Sequence, residues 1–212
     1  MGQAVAVIDP SSLLLFAAAA FALAVVPGPA VLYIVARSVD QGRLAGFVSA
    51  LGIATGSLVH VTAATIGLSS LLASSATAFT IVKYAGAVYL IVLGVRRLMT
   101  REVLEEAVVR GERSRWSLFA NGVVVNILNP KTALFFLAFL PQFVDPDSGS
   151  VPLEILVLGL TFTLIALASD STWALLAGTL GGWLKRSRWY LGVKRWVTGL
   201  VFVGLGASAT RA

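Results

Sequence analysis

The stretch that decides the fold runs from Leu13 to Ala36 and reads LLLFAAAAFALAVVPGPAVLYIVA. It holds 24 residues and no charged side chain. A bilayer core about 30 Å thick is crossed by roughly 20 apolar residues in a helix. We therefore predict a transmembrane helix that is interrupted at Pro27-Gly28-Pro29. The residues before it, 1–10, contain no Lys or Arg, so they lack the basic region of a cleavable signal peptide and we expect the helix to be retained.

The composition of the whole chain agrees with a membrane protein. Its 212 residues are 58% hydrophobic and 12% charged, with a mean hydropathy of +0.89. Soluble domains carry about 25% charged residues. A soluble enzyme, a disordered chain and a nucleic-acid-binding domain are therefore disfavoured, despite a net charge of +6. The chain has no cysteine, which excludes disulfides, thiolate metal sites and cysteine nucleophiles.

Five further spans are predicted, at about 44–66, 78–95, 116–140, 153–180 and 193–210. The uncharged run 44–82 is too long for one helix, and we divide it near Gly67 and the serines at 69, 70, 74 and 75. The sixth span is the weakest, since only 196–210 is uncharged. The charged stretch 96–115 is interpreted as a solvated linker or a short surface helix.

The basic residues give this map an orientation. On it, 13 of the 16 Lys and Arg residues fall in loops on one face: Arg37, Arg43, Arg96, Arg97, Arg101, Arg110, Arg113, Arg115, Lys185, Arg186, Arg188, Lys194 and Arg195. The positive-inside rule places these loops in the cytoplasm, so we expect both termini outside.

The predicted fold class is an all-α membrane protein, with six transmembrane helices arranged as two inverted three-helix repeats. The chain forms a single transmembrane domain, 1–212, with repeats at about 13–98 and 116–210 joined by the cytoplasmic linker 96–115. An odd number of spans in each half makes the second half enter from the opposite side. Inverted repeats with broken helices are typical of secondary transporters.

The first helix of each half carries a break. Pro27-Gly28-Pro29 removes two backbone donors and leaves carbonyls without partners, although a simple kink would also fit. Asn129-Pro130-Lys131 interrupts the fourth span, where Asn129 is able to cap the helix that follows. The N-terminal end of that helix is expected to favour an anion. Unpaired carbonyls in hydrocarbon are costly, so both breaks should face protein or a water-filled cavity.

Three ionisable side chains lie within the spans at positions that need an explanation. Lys131 is 15 residues into the fourth span with nine apolar residues after it, which makes snorkelling difficult and favours a functional role. Asp170, near the centre of the fifth span, is either a structural carboxylate or a binding and proton-carrying group. His60, the only histidine, is either a packed residue or a functional one. The glycines at 46, 52 and 56 are interpreted as close helix contacts.

These groups together would suit a zwitterionic solute. The helix N-terminus with Lys131 would bind a carboxylate, and Asp170 or the carbonyls at Pro27-Gly28-Pro29 would bind an ammonium group. This arrangement requires Lys131 and Asp170 to face a shared cavity.

Ordered motifs along nearly the whole chain give it a family resemblance. They are Pro27-Gly28-Pro29, Gly42-Arg43-Leu44-Ala45-Gly46, Leu51-Gly52 with Gly56, Lys83-Tyr84, Gly86-Ala87, Tyr89-Leu90, Gly94, Phe119 with Gly122, Asn126, Asn129-Pro130-Lys131-Thr132, Phe135-Phe136 and Phe139-Leu140-Pro141-Gln142-Phe143. In this order and spacing they resemble the LysE/RhtB family of bacterial amino-acid exporters. Asp170 followed by Trp173 is also similar to the family's fifth span.

The resemblance implies a secondary transporter in the bacterial inner membrane that exports an amino acid or a close derivative. It also implies coupling to the proton motive force and homo-oligomers. The implied partners are the small-molecule substrate, protons and membrane lipid, with no nucleic acid, cofactor or metal. The candidate substrate and translocation residues are Pro27, Gly28, Pro29, Asn126, Asn129, Pro130, Lys131 and Asp170, of which Asp170 and Lys131 are also the candidates for proton coupling.

Other functions remain open from the sequence. Export of a metal cation is weakened by the absence of cysteine and the single histidine. A membrane enzyme would need a convergent catalytic set, and only His60 and Asp170, on different spans, are candidates. A structural membrane subunit would not need two broken helices. Uptake of the same solutes is also compatible with this topology.

Overall fold

The structure is a computed structural model that describes residues 8–75, 77, 78, 80, 81, 84, 85, 88 and 114–184. The described chain contains six α-helices: α1 (Pro10–Val25), α2 (Pro29–Gln41), α3 (Arg43–Ser74), α4 (Arg115–Ile127), α5 (Pro130–Leu134) and α6 (Val151–Leu184). A π-helical turn (Phe135–Phe139) and a 3-10 turn (Leu140–Phe143) extend α5. The all-α prediction is confirmed for this part of the chain, in which no strand occurs.

Three predicted regions fall largely outside the described residues. The described positions between 77 and 88 are helical, but most of the third span, nearly all of the 96–115 linker and the sixth span are not described. The inverted repeat needs the third and sixth spans, so it stays a prediction. α3 and α6 are each long and apolar enough to cross a membrane, and each of the two bent helix pairs described next could form one further span.

Both predicted helix breaks are present. α1 and α2 meet at an angle of 50°, and α4 meets the segment 130–143 at 45°. Pro29 and Pro130 each occupy the first turn of the helix after the break, where a missing backbone N–H costs nothing. α1 begins after Asp9, whose carboxylate accepts hydrogen bonds from Ser11 and from the backbone N–H of Ser12. These bonds hold the pKa of Asp9 below its usual range.

Two predicted helix ends are wrong. The first span does not end at Ala36, because α2 continues to Gln41 and includes Arg37, which we had counted as a loop residue. α3 likewise does not end at residue 66 but runs to Ser74, so the division that we predicted in this run falls at Ser74 and Ser75. Its hydroxyl side chains need no helix break, because they bond to carbonyls of the preceding turn, as Thr65 does to Val61 O at 2.8 Å.

Gly46, Gly52 and Gly56 all lie at close helix contacts, as the sequence predicted, and two of them join α3 to α4. A Cβ added to Gly52 would lie 2.2 Å from the carbonyl oxygen of Phe119, and one added to Gly56 would lie 2.8 Å from that of Val123. From the other side, a Cβ on Gly122 would lie 2.6 Å from the carbonyl oxygen of Ser49. The third predicted glycine, Gly46, instead gives the closest approach to Ser38 of α2. The backbones of α3 and α4 are therefore in contact without intervening side chains.

An aromatic cluster holds the segment after α5 in place. Phe135 of the π-helical turn stacks on Phe162 of α6 with ring centroids 4.5 Å apart, and it packs on Phe16 of α1 at 5.5 Å. Phe136 and Phe139 belong to the same buried core. The cluster fixes the helix that carries Lys131 against both α1 and α6.

Candidate functional site

The two helix breaks contact each other through Lys131. Its ammonium group donates a hydrogen bond to the carbonyl oxygen of Leu23 and another, of 2.6 Å, to that of Val26. Both carbonyls lie at the C-terminal end of α1, where the break leaves them without helical partners. This end also carries the negative pole of the helix dipole. The ammonium group of Lys131, which belongs to the second break, therefore caps the C-terminal end of α1 at the first break.

Local sequence explains how Lys131 reaches this position. Asn129 has an extended backbone conformation, as expected for a residue that precedes proline. Its side-chain oxygen accepts a hydrogen bond of 3.1 Å from the backbone N–H of Lys131. The predicted capping role of Asn129 is thereby confirmed, and α5 starts directly beside the end of α1.

These bonds change the binding scheme that we predicted. In that scheme Lys131 and the carbonyls at Pro27-Gly28-Pro29 were to bind opposite ends of a solute. In the structure Lys131 instead binds the carbonyl oxygens of Leu23 and Val26, which come just before that motif. A primary ammonium and exposed carbonyls are complementary, and the two breaks are adjacent. The backbone N–H of Lys131 is likewise already bonded to Asn129.

Gly28 provides the space for the lysine side chain. A Cβ at this position would lie 3.0 Å from Cδ of Lys131 and 3.7 Å from its Nζ. The backbone of Gly28 is extended, with φ of −119°, a conformation open to any residue. Glycine is therefore needed here for the passage of Lys131 and not for backbone freedom.

Asn126 connects three helices through hydrogen bonds. Its side-chain nitrogen donates to the carbonyl oxygen of Ile53 and to the hydroxyl of Ser57, each at 2.8 Å. Its side-chain oxygen accepts from the hydroxyl of Thr132 at 2.9 Å and from the amide of Asn129 at 3.4 Å. The residue is 1% exposed. Asn126 on α4 thus ties α3 to the capped start of α5.

His60 belongs to the same region in a supporting position. Its Nε2 lies 3.0 Å from the backbone carbonyl oxygen of Asn126, and its ring stacks on Phe136 with centroids 5.8 Å apart. Because a carbonyl only accepts, Nε2 carries the proton in this contact. These contacts favour the packed interpretation of His60 over a direct role.

A cavity of about 40 Å³ lies between the two breaks. Five of the eight predicted site residues line it: Gly28, Asn126, Asn129, Lys131 and Asp170. The three prolines of the set, Pro27, Pro29 and Pro130, adjoin it in sequence but do not line it. The volume exceeds the ~10–15 Å³ that one water needs but is well below the ~300 Å³ of ordinary ligand sites.

Asp170 brings a negative charge to this cavity from α6. Its side chain is 5% exposed and lies within electrostatic reach of Lys131. The predicted sharing of one cavity by Lys131 and Asp170 agrees with this placement. A buried carboxylate and a half-buried ammonium at one cavity provide the two charges that a zwitterion would require.

Sequence reasoning missed two polar residues of the cavity, Ser57 and Thr132. Both hydroxyls bond to Asn126. The available signal for Ser57 was its place directly after Gly56, on the helix face that packs closely against α4. The signal for Thr132 was its position one turn after the Asn129 cap.

Comparisons with known proteins agree with this architecture. The family model described as LysE type translocator matches residues 21–212. The chain is 31% identical over 163 residues to a homoserine/homoserine lactone efflux protein of Salmonella typhimurium, covering 77% of this chain and 79% of that protein.

Two further relatives are membrane proteins without an assigned function. An uncharacterized membrane protein of Vibrio cholerae is 31% identical over 91% of this chain and 92% of its own length. The membrane protein YrhP of Bacillus subtilis is 29% identical over 92% of this chain and 96% of its own length. No solved structure matches the chain significantly. With a family model covering nearly all of its length, the chain belongs to the LysE type translocators.

Proposed function

We propose that this translocator exports a small amino acid or a close derivative, of the class of homoserine and homoserine lactone, from the cytoplasm. The observation that carries the proposal is the cavity between the two helix breaks, with the charges of Lys131 and Asp170 at its wall. Efflux of amino-acid-type solutes is supported by the family and by the Salmonella relative.

The contact of Lys131 with α1 indicates how a substrate would bind. The lysine side chain ends in a primary ammonium, which is the group that an amino acid also carries. The carbonyls of Leu23 and Val26 accept this group from Lys131. We infer that the substrate ammonium takes its place there, beside the carboxylate of Asp170.

The size of the cavity requires this exchange. A cavity of about 40 Å³ has room for a few water molecules and is far below the ~300 Å³ of ordinary ligand sites, so an amino acid does not fit in this conformation. Withdrawal of the Lys131 side chain would enlarge the cavity and vacate the carbonyls in one movement. Substrate binding and release of the helix cap are thereby coupled.

Proton coupling is assigned to Asp170. It is the carboxylate that lines the cavity within the described residues, and its burial makes its charge sensitive to what occupies the site. A proton taken up from outside would neutralise Asp170 and weaken its hold on the substrate ammonium. Export of substrate would then be exchanged for inward movement of a proton.

The proposed location is the bacterial inner membrane, with both termini outside. The support for it is the excess of Lys and Arg in the predicted loops of one face. Outgoing substrate would then approach from the face that carries Arg43, and it would leave from the opposite face.

An efflux assay tests the proposal. Cells that carry the chain or an empty vector are loaded with peptides of each amino acid, or with homoserine and its lactone, and the solute released is measured. We expect faster release of at least one such solute from cells with the chain. Equal release from both strains for every solute would overturn the proposed function.

A further inference from the structure

Arg37 is a buried cation that the cavity does not use. It lies on α2, is 1% exposed, and neither its Nε nor its Nη1 has a hydrogen-bond partner within the part of the chain that the structure describes. Buried charged donors without partners are unfavourable and rare in folded proteins. Such a group indicates a ligand or a second conformation in which it is paired.

We propose that Arg37 forms a second binding position, which takes the carboxylate of the substrate before the substrate reaches the central cavity. This inference rests on the proposed function. There the cavity of Asp170 and Lys131 binds the ammonium group of the substrate, and here Arg37 is assigned its carboxylate.

The position of Arg37 relative to the cavity follows from helix geometry. Ala30, on the same helix, lines the cavity. Seven residues of α-helix rise about 10 Å and turn through nearly two complete turns, so Ala30 and Arg37 lie on almost the same face. Arg37 therefore lies about two turns from the cavity on the face of α2 that lines it, with the buried Ile34 between them.

Tyr33 holds the guanidinium in a fixed orientation. The Arg37 Cζ lies 5.6 Å from the centre of the Tyr33 ring, and the Tyr33 hydroxyl donates a hydrogen bond of 3.0 Å to the carbonyl oxygen of Leu118 on α4. Packing on an aromatic ring covers the face of a guanidinium and leaves the N–H groups at its edge for hydrogen bonds. The site is therefore pre-oriented for a planar acceptor.

A carboxylate is the planar acceptor that fits best. Arginine binds carboxylates through paired N–H donors in one plane. The protein does not supply that group among its described residues: Asp40, one turn further along α2, is exposed and forms no ion pair with Arg37. An amino acid would supply it, whereas a lactone would not.

The contrast between homoserine and homoserine lactone tests this inference. The lactone retains the amino group and lacks the carboxylate. The initial rates of export of both compounds are measured in vesicles with the wild-type chain or with Arg37→Gln. We expect the ratio of homoserine to lactone export to fall about tenfold in Arg37→Gln, the effect of one lost charged hydrogen bond. The ratio does not depend on how much protein inserts.

Two matched controls and one conservative variant accompany the measurement. Arg43→Gln removes an exposed arginine at the start of α3, just beyond the end of α2. Ser49→Ala removes a buried hydroxyl on α3 that donates to the carbonyl oxygen of Ala45 in its own helix. Both should leave the ratio unchanged. Arg37→Lys keeps a point charge and should give an intermediate ratio; it also replaces Arg37→Gln if that protein does not insert.

Each outcome decides the inference. An equal fall in the export of both compounds, an unchanged ratio, or an equal shift in either control would show that Arg37 is structural, while the proposed function stands. A wild-type chain that exports neither compound nor any amino acid would overturn the proposed function and this inference together.

Discussion

The side chain of Lys131 passes so close to Gly28 that a Cβ at Gly28 would stand 3.0 Å from its Cδ. One residue belongs to the first helix break and the other to the second, and they are 103 positions apart in the sequence. Because of this contact, a larger side chain at residue 28 would push on Lys131, whose ammonium group caps α1.

Enlarging residue 28 should therefore displace Lys131. Gly28→Ala requires the lysine to shift by only a few tenths of an ångström, and we expect a small loss of export. Gly28→Val adds two further methyl groups and should cost about 1–3 kcal/mol by overpacking. Thermal unfolding in detergent and efflux measure both effects. Gly67→Ala is the control, since nothing lies within 4 Å of its Cβ position; an equal loss in that variant would contradict the explanation.

Removing the charge of Lys131 should lower export at least about tenfold and leave insertion intact. Lys131→Met keeps the length of the side chain but cannot bond to the carbonyls of Leu23 and Val26. Hydrogen bonds to charged groups contribute about 1.5–3 kcal/mol, so we expect at least about a tenfold loss. Membrane insertion should not suffer, because a charge is removed from an apolar span. Efflux and membrane fractionation check the two parts, and normal export by Lys131→Met would refute the role of the ammonium.

Asp170→Asn should separate substrate exchange from proton coupling. The amide has nearly the same shape but does not titrate, so an imposed proton gradient should no longer accelerate export. Exchange of labelled for unlabelled substrate across vesicles without a gradient should persist at a reduced rate. The neighbouring Ser169→Ala, also at a buried position, serves as control. Stimulation by the gradient in Asp170→Asn would mean that the proton is carried elsewhere.

Replacement of Asn126 should destabilise the protein more than replacement of Asn121 on the same helix. Asn126→Ala leaves the buried hydroxyls of Ser57 and Thr132 without their partner, at about 1–3 kcal/mol for each group left unpaired. Within the described part of the chain, the side chain of Asn121 bonds only to Ser117, one turn earlier on α4. Thermal unfolding in detergent compares the two variants. Equal midpoints would show that the Asn126 network contributes little.

The features that sequence reasoning predicted here are local ones. Proline fixes its own backbone and restricts the residue before it, so both breaks and the Asn129 cap could be inferred from three-residue motifs. The packing role of Gly52 could be inferred because small residues allow helices to approach in a membrane.

The features that it missed depend on which distant segments meet. Nothing in the spacing shows that Lys131 bonds to the carbonyl of Leu23, 108 positions earlier. Arg37 was counted as a loop residue because a charge usually ends an apolar span, whereas α2 continues past it and buries it. Gly67 does not end α3. In a membrane the backbone groups of a helix bond to one another, so a glycine within the helix does not break it.

The contact of α3 with α4 has a mechanical consequence. α3 belongs to the first half of the chain and α4 to the second, yet their backbones touch at Gly52 and Gly122, and Asn126 bonds across the same seam. A rocker-switch motion, in which the two halves of the chain tilt against each other, would have to separate α3 from α4 at this contact. Relative movement of α3 and α4 is therefore opposed by direct backbone contact, and we expect the bend between α1 and α2 to be the easier place for the structure to move.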